Sequence, residues 1–312
     1  MDFLHVLLGG VKFVQAKGRK LAVAGETGSG KTTLLKTIAG LAQPDKGEVL
    51  FEGRRVLGPA EQLIPGHPGI AYLSQQFELP QHLRVEQVLE YANELPVEDA
   101  KVLFRLCRID HLMKRKTHQL SGGERQRIAL AKLLIGSPRL LLLDEPFSNL
   151  DMIHKEILKF VIRDIGQRLD ITCILVSHDP LDTLSWADEI LIMREGRIVQ
   201  QGAPQEVYLR PETEYVAALL GKYNLLVAGN GKQLFVRPEH FKVGKKAFPG
   251  ALRGVIRSIT FWGSFYEIEI LQEAGSVLIA RVVENDLAAG DAVFILPPWD
   301  GVWYLPVLDR GA

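Results

Sequence analysis

The tightest constraint in the chain lies at residues 21–33, LAVAGETGSGKTT. An apolar run over 21–24 reads as a buried strand. Gly25, four residues (Glu26, Thr27, Gly28, Ser29), then Gly30, Lys31 and Thr32 follow in the pattern G-x-x-x-x-G-K-[ST]. Such glycines let the backbone curl until its N–H groups point inward at phosphate oxygens. Lys31 brings a positive charge to the outer phosphates, and the Thr32 hydroxyl, with Thr33 next to it, is placed to hold Mg²⁺. A helix beginning near Thr32 aims its positive dipole end at the same anion. A Gly-rich turn with a chance lysine would look similar. The apolar strand before it, and Leu34, Leu35 and Ile38 after it, supply the context the pattern needs. Alone, the pattern implies a nucleoside triphosphate ligand and nothing narrower.

Bulk properties narrow the class. A length of 312 residues suggests two domains, and 37 basic against 37 acidic residues leave no surplus for a nucleic-acid surface. The two cysteines, Cys107 and Cys173, lack metal-ligand spacing and suit a reducing cytoplasm. No apolar run approaches ~18 residues, so no membrane-spanning helix is expected. The start, MDFLHVLLGGVKF, carries an acidic residue and no basic segment, which argues against a signal peptide.

Taken in order, residues 11–14 alternate as a strand and 32–41 read as a helix ended by Gly40 and Pro44. Residues 47–51 and 70–73 read as strands. Between Gln75 and Ser121 the apolar residues recur at helical spacing, with room for three helices of ~11–12 residues each. Four leucines over 140–143 suit a parallel strand covered on both faces. A helix is expected over 151–169, a strand over 171–176, a short helix over 180–186, and a hairpin over 189–199 turning at Glu195-Gly196. The alternation from 21 to 176 implies α/β architecture with a doubly wound parallel sheet. Beyond Gly221 the segments are short and alternating. They are punctuated by turns at Gly229-Asn230-Gly231, Gly263, Gly275 and Gly290, which suits a small all-β barrel or sandwich. Domains are therefore expected at 1–222 and 223–312, with a helical insertion over about 76–136.

Ligands of open α/β sheets sit at the carboxyl ends of the strands. Four expected strands end in the phosphate loop, in Gln75, in Asp144-Glu145 and in Ser177-His178. Singly, Gln75 reads as a surface amide, Asp144-Glu145 as helix-capping acids and His178 as a solvated histidine. Converging on one loop, they read as a site for triphosphate hydrolysis. Asp144 suits Mg²⁺, directly or through water. Glu145 is free to act as general base or to polarise the attacking water. His178 contacts the γ-phosphate and orients the water. Gln75 reaches the metal or the water.

Residues 120–127, LSGGERQR, form a capping box through Ser121 and Glu124. Yet Gly122 and Gly123 in a first helical turn each cost up to ~1 kcal/mol against alanine. That cost suggests close approach of the backbone to something, and a helix N-terminus with bare N–H groups and a serine hydroxyl reads as a second phosphate-binding end.

With these stretches in hand the sequence resembles the ATP-binding cassette (ABC) transporter ATPases. GETGSGKTT is similar to Walker A, LSGGERQR to the signature, and LLLLDEP to Walker B. Ser148-Asn149-Leu150-Asp151 is similar to the D-loop, Gln75 to the Q-loop glutamine and His178 to the switch histidine. Glu124 stands where the signature often has glutamine. The resemblance spans roughly 7–220 and implies a P-loop NTPase, RecA-like core with an inserted helical subdomain. It implies ATP and Mg²⁺ as ligands, and a head-to-tail homodimer in which Ser121, Gly122, Gly123, Glu124 and Asp151 of one copy complete the nucleotide site of the other. Val236-Arg237-Pro238-Glu239, Gly254-Val255 and Phe261-Trp262-Gly263 resemble the OB-like, TOBE-like barrel of solute-importer ATPases. In that family these serve sugars, polyamines, ferric iron, sulfate or molybdate. The resemblance therefore implies a cytoplasmic subunit on the inner membrane face, bound to integral-membrane permease subunits, working with a solute-binding protein and without nucleic acid. The aromatics Phe261, Trp262, Phe265 and Tyr266 read as barrel core.

One departure concerns the base. Family members stack adenine on an aromatic residue preceded by a strand. Here the chain starts too late for the full strand, leaving Phe3 or His5. Two other classes remain. An ABC ATPase of DNA repair or translation would need a long coiled-coil insertion or tandem cassettes, and the stretch between Gln75 and Ser121 has no room for the former. A non-enzymatic nucleotide-gated regulator would not need Glu145.

Overall fold

The computed structural model describes residues 2–76, 78–93, 95–227, 232–247, 249–298 and 303–305. Packing divides the chain into two compact units, Met1–Pro204 and Gln205–Ala312.

In the first unit the elements run β1 (Asp2–Leu8), β2 (Val11–Ala16), β3 (Lys20–Ala24), α1 (Lys31–Ile38), β4 (Gly47–Phe51), β5 (Arg54–Arg55), β6 (Ile70–Leu73), α2 (Val85–Glu90), α3 (Val97–Leu106), α4 (Gly122–Leu134), β7 (Leu140–Asp144), α5 (Met152–Arg168), β8 (Thr172–Val176), α6 (Pro180–Trp186), β9 (Glu189–Arg194) and β10 (Arg197–Gly202). The central sheet has the order β10-β9-β3-β8-β7-β6. Every pairing in it is parallel except the β9–β10 hairpin. All five residues of β7 and of β8 are buried, which is what strands covered on both faces require. A second, antiparallel sheet, β2-β1-β4-β5, shares one core with α1, in which Phe3, Phe13, Phe51, Leu35, Ile38, Leu142 and Ile174 are buried together.

Two readings of the sequence are corrected here. Among the described residues, the stretch between Gln75 and Ser121 holds two α-helices, not three, followed by single 3₁₀ turns at Asp110–Leu112 and Thr117–Gln119. Arg108 adopts a left-handed φ of 54°, which stops α3, and the residues beyond it buttress α2 through backbone bonds from Val85 to Arg115 and from Glu86 to Met113. The start of the chain also forms a strand, β1, of seven described residues. β1 pairs with both β2 and β4.

The second unit begins with two short helices, α7 (Pro204–Leu209, whose first residue closes the first unit) and α8 (Glu214–Leu220). Then come β11 (Asn224–Val227), β12 (Gln233–Val236), β13 (Lys242–Gly244), β14 (Leu252–Phe261), β15 (Tyr266–Gln272), β16 (Val277–Val282), β17 (Ala292–Leu296) and β18 (Trp303–Leu305). They form two antiparallel sheets, β11-β12-β18 and β13-β17-β14-β15-β16. The Gly229-Asn230-Gly231 turn lies outside the described residues. The boundary precedes the helices because Arg237 binds them. Its fully buried guanidinium donates to the carbonyls of Tyr208, Ala217, Gly221 and Lys222 and stacks 4.0 Å from the Tyr208 ring centroid. Phe261 and Trp262 are exposed at the tip of the β14–β15 hairpin, so these two are not the barrel core that their aromatic character suggested.

Candidate active site

The site is built at the carboxyl ends of β3, β6, β7 and β8. The loop after β3 folds back on itself. A Cβ on Gly25 would meet the Met193 carbonyl oxygen at 2.3 Å, so only glycine lets the loop pass under β9. Gly30 is the N-cap of α1, in a left-handed conformation, and no side chain caps this helix. The N–H groups of its first turn therefore keep their capacity for an anion. Lys31 is buried in the middle of the loop and donates to the carbonyls of Gly25 and Glu26, both at 2.8 Å, and to Ser29 Oγ at 3.4 Å. Burial pushes its ammonium below the ordinary lysine value, against the pull of Glu145, Asp144 and Glu26. An ammonium held this way is short of counter-charge, which suits a polyphosphate. Thr27 and Thr33 are exposed on the same loop and helix start, as are Glu26 and Gly28.

Asp144 ends β7 and is buried, with its two oxygens separately engaged. Oδ1 accepts from Thr32 Oγ1 at 3.2 Å and Oδ2 from Tyr72 Oη at 2.8 Å. A hydroxyl and a carboxylate side by side are hard oxygen donors that fit Mg²⁺. Tyr72 was not anticipated from sequence. It lies in mid-strand on β6, where an aromatic reads as sheet packing. Its hydroxyl is raised well above the usual tyrosine range by burial and by the neighbouring carboxylate, so it stays a hydrogen-bond donor.

Glu145 follows with a left-handed φ of 49°. A non-glycine residue in this region is strained, and it turns the side chain out of the line of the strand. The turn is held by the Glu145 N–H donating to Val176 O at 2.9 Å and by Ser148 Oγ donating to Glu145 O at 2.8 Å. The carboxylate then meets residues from two other strand ends. Gln75 Nε2 donates to Glu145 Oε2 at 3.3 Å, and His178 Nδ1 lies 3.0 Å from the same oxygen. Gln75, Glu145 and His178 are thus brought together as expected, with Asp144 and Thr32 adjoining them.

The start of α4 is different. Ser121 Oγ accepts from the Glu124 N–H at 3.2 Å and Glu124 Oε2 accepts from the Ser121 N–H at 2.8 Å. The capping box is formed, so the N–H of Glu124 is not bare as the two glycines suggested. Burial raises the Glu124 carboxyl, but the two bonds to Ser121 and the charges of Arg115 and Arg127 outweigh it, and the net shift is downward. Asp151 caps α5, accepting from the His154 N–H at 2.9 Å, and so faces its own helix. Both ends are thus engaged with their own helix starts.

A cleft of about 410 Å³ opens beside the first turn of α1, between Gly30 and Thr33 on one side and the β1–β2 turn (Leu8, Gly9, Gly10, Val11) on the other. Phe3 cannot serve as a base platform. It is buried and set edge-on to Phe51, with centroids 5.0 Å apart. His5 is half-buried within the ladder joining β1 to β2 and β4. Both cysteines are buried free thiols, pushed up to about 12 by burial. Among the described residues no helix is long and apolar enough to cross a membrane.

A phosphate loop, a metal-suited hydroxyl and carboxylate, and a carboxylate positioned by an amide and an imidazole define a P-loop nucleotide-hydrolysing cassette. The comparisons with known proteins agree. The family model described as ABC transporter matches residues 8–148, and that described as TOBE domain matches residues 234–305. The sulfate/thiosulfate import ATP-binding protein CysA of Mycobacterium bovis is 34% identical, covering 95% of this chain and 90% of the relative. The spermidine/putrescine import ATP-binding protein PotA of Bacillus anthracis is 33% identical, covering 89% and 88%. Among solved structures, cbiO1 from Clostridium perfringens, described as part of the ABC transporter complex cbiONQ, superposes with a TM-score of 0.57 at 26% identity, covering 67% of this chain and 91% of that one. The chain belongs to the ABC transporter ATP-binding protein family, as an ATP-hydrolysing cassette followed by a TOBE domain.

Proposed function

We propose that this chain is the ATPase subunit of a solute importer and that a pair of its cassettes turns ATP binding and hydrolysis into the opening and closing of a membrane permease. The observation that carries the hydrolytic assignment is the Glu145 carboxylate, held by Gln75 and His178 at the mouth of the phosphate loop. Glu145 takes the proton of the attacking water as general base. His178 orients that water and contacts the γ-phosphate, and Gln75 reports the state of the site. Lys31 and the loop from Gly25 to Thr33 bind the phosphates. Thr32, Asp144 and Gln75 would hold Mg²⁺, which when bound neutralises phosphate charge. The base rests in the cleft between Leu8–Val11 and α1, against aliphatic and glycine surface rather than an aromatic ring.

Ser121, Gly122, Gly123, Glu124 and Asp151 act on the nucleotide of a second copy of the chain. The exposed apolar pair Met152 and Ile153, directly after Asp151, favours such an interface, since apolar side chains in open water suit contact with another protein. The permease docks in the cleft of about 1000 Å³ lined by Gln75, Gln76, Leu79, Pro80, His118 and Arg125. In this reading the chain sits at the cytoplasmic face of the membrane. Relatives at similar identity carry names with an anion, sulfate, and with cations, the polyamines. Solute choice therefore lies with the permease and its binding protein. The test is Glu145→Gln, which should keep ATP binding and lower turnover by about 10²–10⁴-fold. Wild-type turnover in that variant removes Glu145 from its role.

A further inference from the structure

His154, a residue outside every motif of the sequence, lies at the centre of the signature end. Its Nδ1 is 2.6 Å from Asp151 Oδ2, and its Nε2 is 3.4 Å from Ser121 Oγ. The other Asp151 oxygen accepts the His154 backbone N–H at 2.9 Å. These bonds hold the Asp151 carboxyl below its ordinary value, so it is ionised and acceptor-only. The Asp151 carboxylate accepts only, so the network assigns an N–H to Nδ1, and in that tautomer Nε2 presents its lone pair to the serine. Ser121 Oγ already accepts the Glu124 N–H. Its single proton is thereby directed at His154.

The fit is close on the other side as well. A Cβ on Gly123 would meet His154 Cδ2 at 2.8 Å and Cβ at 2.9 Å, so the imidazole lies directly on the first turn of α4. This ring gives Gly123 a reason to be glycine. The next residue, Lys155, donates to Asp179 Oδ2 at 2.6 Å, next to His178. One turn of α5 is thus fastened both to the signature serine and to the segment carrying the switch histidine.

We infer that His154 is the positioning residue for the Ser121 hydroxyl, holding it in one rotor state so that it meets a phosphate oxygen of the partner copy's nucleotide as a preformed donor. The inference rests on the signature role proposed above for Ser121. At 3.4 Å the serine–histidine bond is long and weak, so a charged phosphate oxygen replaces the imidazole as acceptor without a large cost. His154 touches no reacting atom. Its effect reaches the chemistry only through Ser121.

The test is a double-mutant cycle on the full chain, with ATPase rates measured in the permease complex and folding monitored by thermal melting. His154→Leu should lower kcat about threefold, the cost of freeing one side-chain rotor with three staggered states that the imidazole and its packing on Gly123 hold in place, with KM for ATP unchanged. His154→Gln, which keeps a polar group at similar reach, should recover most of that loss. In the Ser121→Ala background, His154→Leu should have no further effect. Additive losses, or a wild-type rate in His154→Leu alongside a defective Ser121→Ala, overturn the positioning role alone. A wild-type rate in Ser121→Ala overturns the signature role and this inference with it. If His154→Leu melts lower than wild type, His154→Gln decides: recovery of stability without recovery of kcat contradicts the proposal.

Discussion

Two helix N-termini in the first unit look alike in sequence, each glycine-rich and followed by a basic or polar turn, yet the structure treats them in opposite ways. α1 begins at a left-handed glycine with no side-chain cap and no acidic residue in its first turn. α4 begins with a closed capping box and the Glu124 carboxylate in its first turn. The positive end of α1 is left for a ligand, and Lys31 adds to it. The positive end of α4 is already balanced by Glu124, so it does not hold a polyphosphate by itself. Under the proposed function it supplies directed groups, the Ser121 hydroxyl above all, to a phosphate bound on a second copy. One cassette would then carry two phosphate-facing ends but only one strong binding site.

The comparison breaks most visibly with Lys31→Ala and Ser121→Ala. The first should weaken ATP binding to the isolated chain by about a hundredfold, the worth of one charge-assisted contact made in a buried loop. The second should leave that affinity within about twofold while lowering turnover by about a hundredfold, as expected for a donor lost from a phosphate's surroundings. Equal losses of affinity, read by isothermal titration, would mean that the two ends are not different in kind.

A smaller effect sharpens the same contrast. Glu124→Ala opens the capping box and should destabilise the chain by about 1 kcal/mol. The sign of its pH dependence follows from the downward shift of the carboxyl. A group held below its ordinary value of 4.5 contributes stability above that pH and loses it as pH falls through the lower, folded value. The gap between wild type and Glu124→Ala in denaturant midpoint should therefore be present at pH 7 and shrink in strong acid. A gap that grows in acid would show that the carboxylate opposes the fold.

Much of this site could be read in the sequence because its parts fall at the ends of buried parallel strands, where an unbroken apolar run such as residues 140–143 makes the next residue conspicuous. The capping box was legible for a similar reason, since its two halves are three residues apart. What was not legible depends on contacts between distant segments or on backbone geometry. Tyr72 gains its role only from Asp144, which lies on the adjoining strand β7. The left-handed φ of Glu145 has no signature in residue type. His154 reads as one more polar position on a long helix until α5 is set against α4. The helical insertion was overcounted because apolar spacing does not distinguish an α-helix from a 3₁₀ turn pressed into the same core. Phe3 was offered as a base platform for being an aromatic near the start, whereas β1 turns it inward against Phe51.

In the proposed dimer the α4 end of one copy completes the α1 site of another. The measurement closest to it is the molar mass of Glu145→Gln in solution by light scattering, with and without Mg-ATP, alone and combined with Ser121→Arg. Mg-ATP should convert Glu145→Gln from monomer to dimer, and Ser121→Arg should prevent this while ATP still binds. A protein that binds ATP and stays monomeric, or a dimer that forms equally with Ser121→Arg, would contradict it.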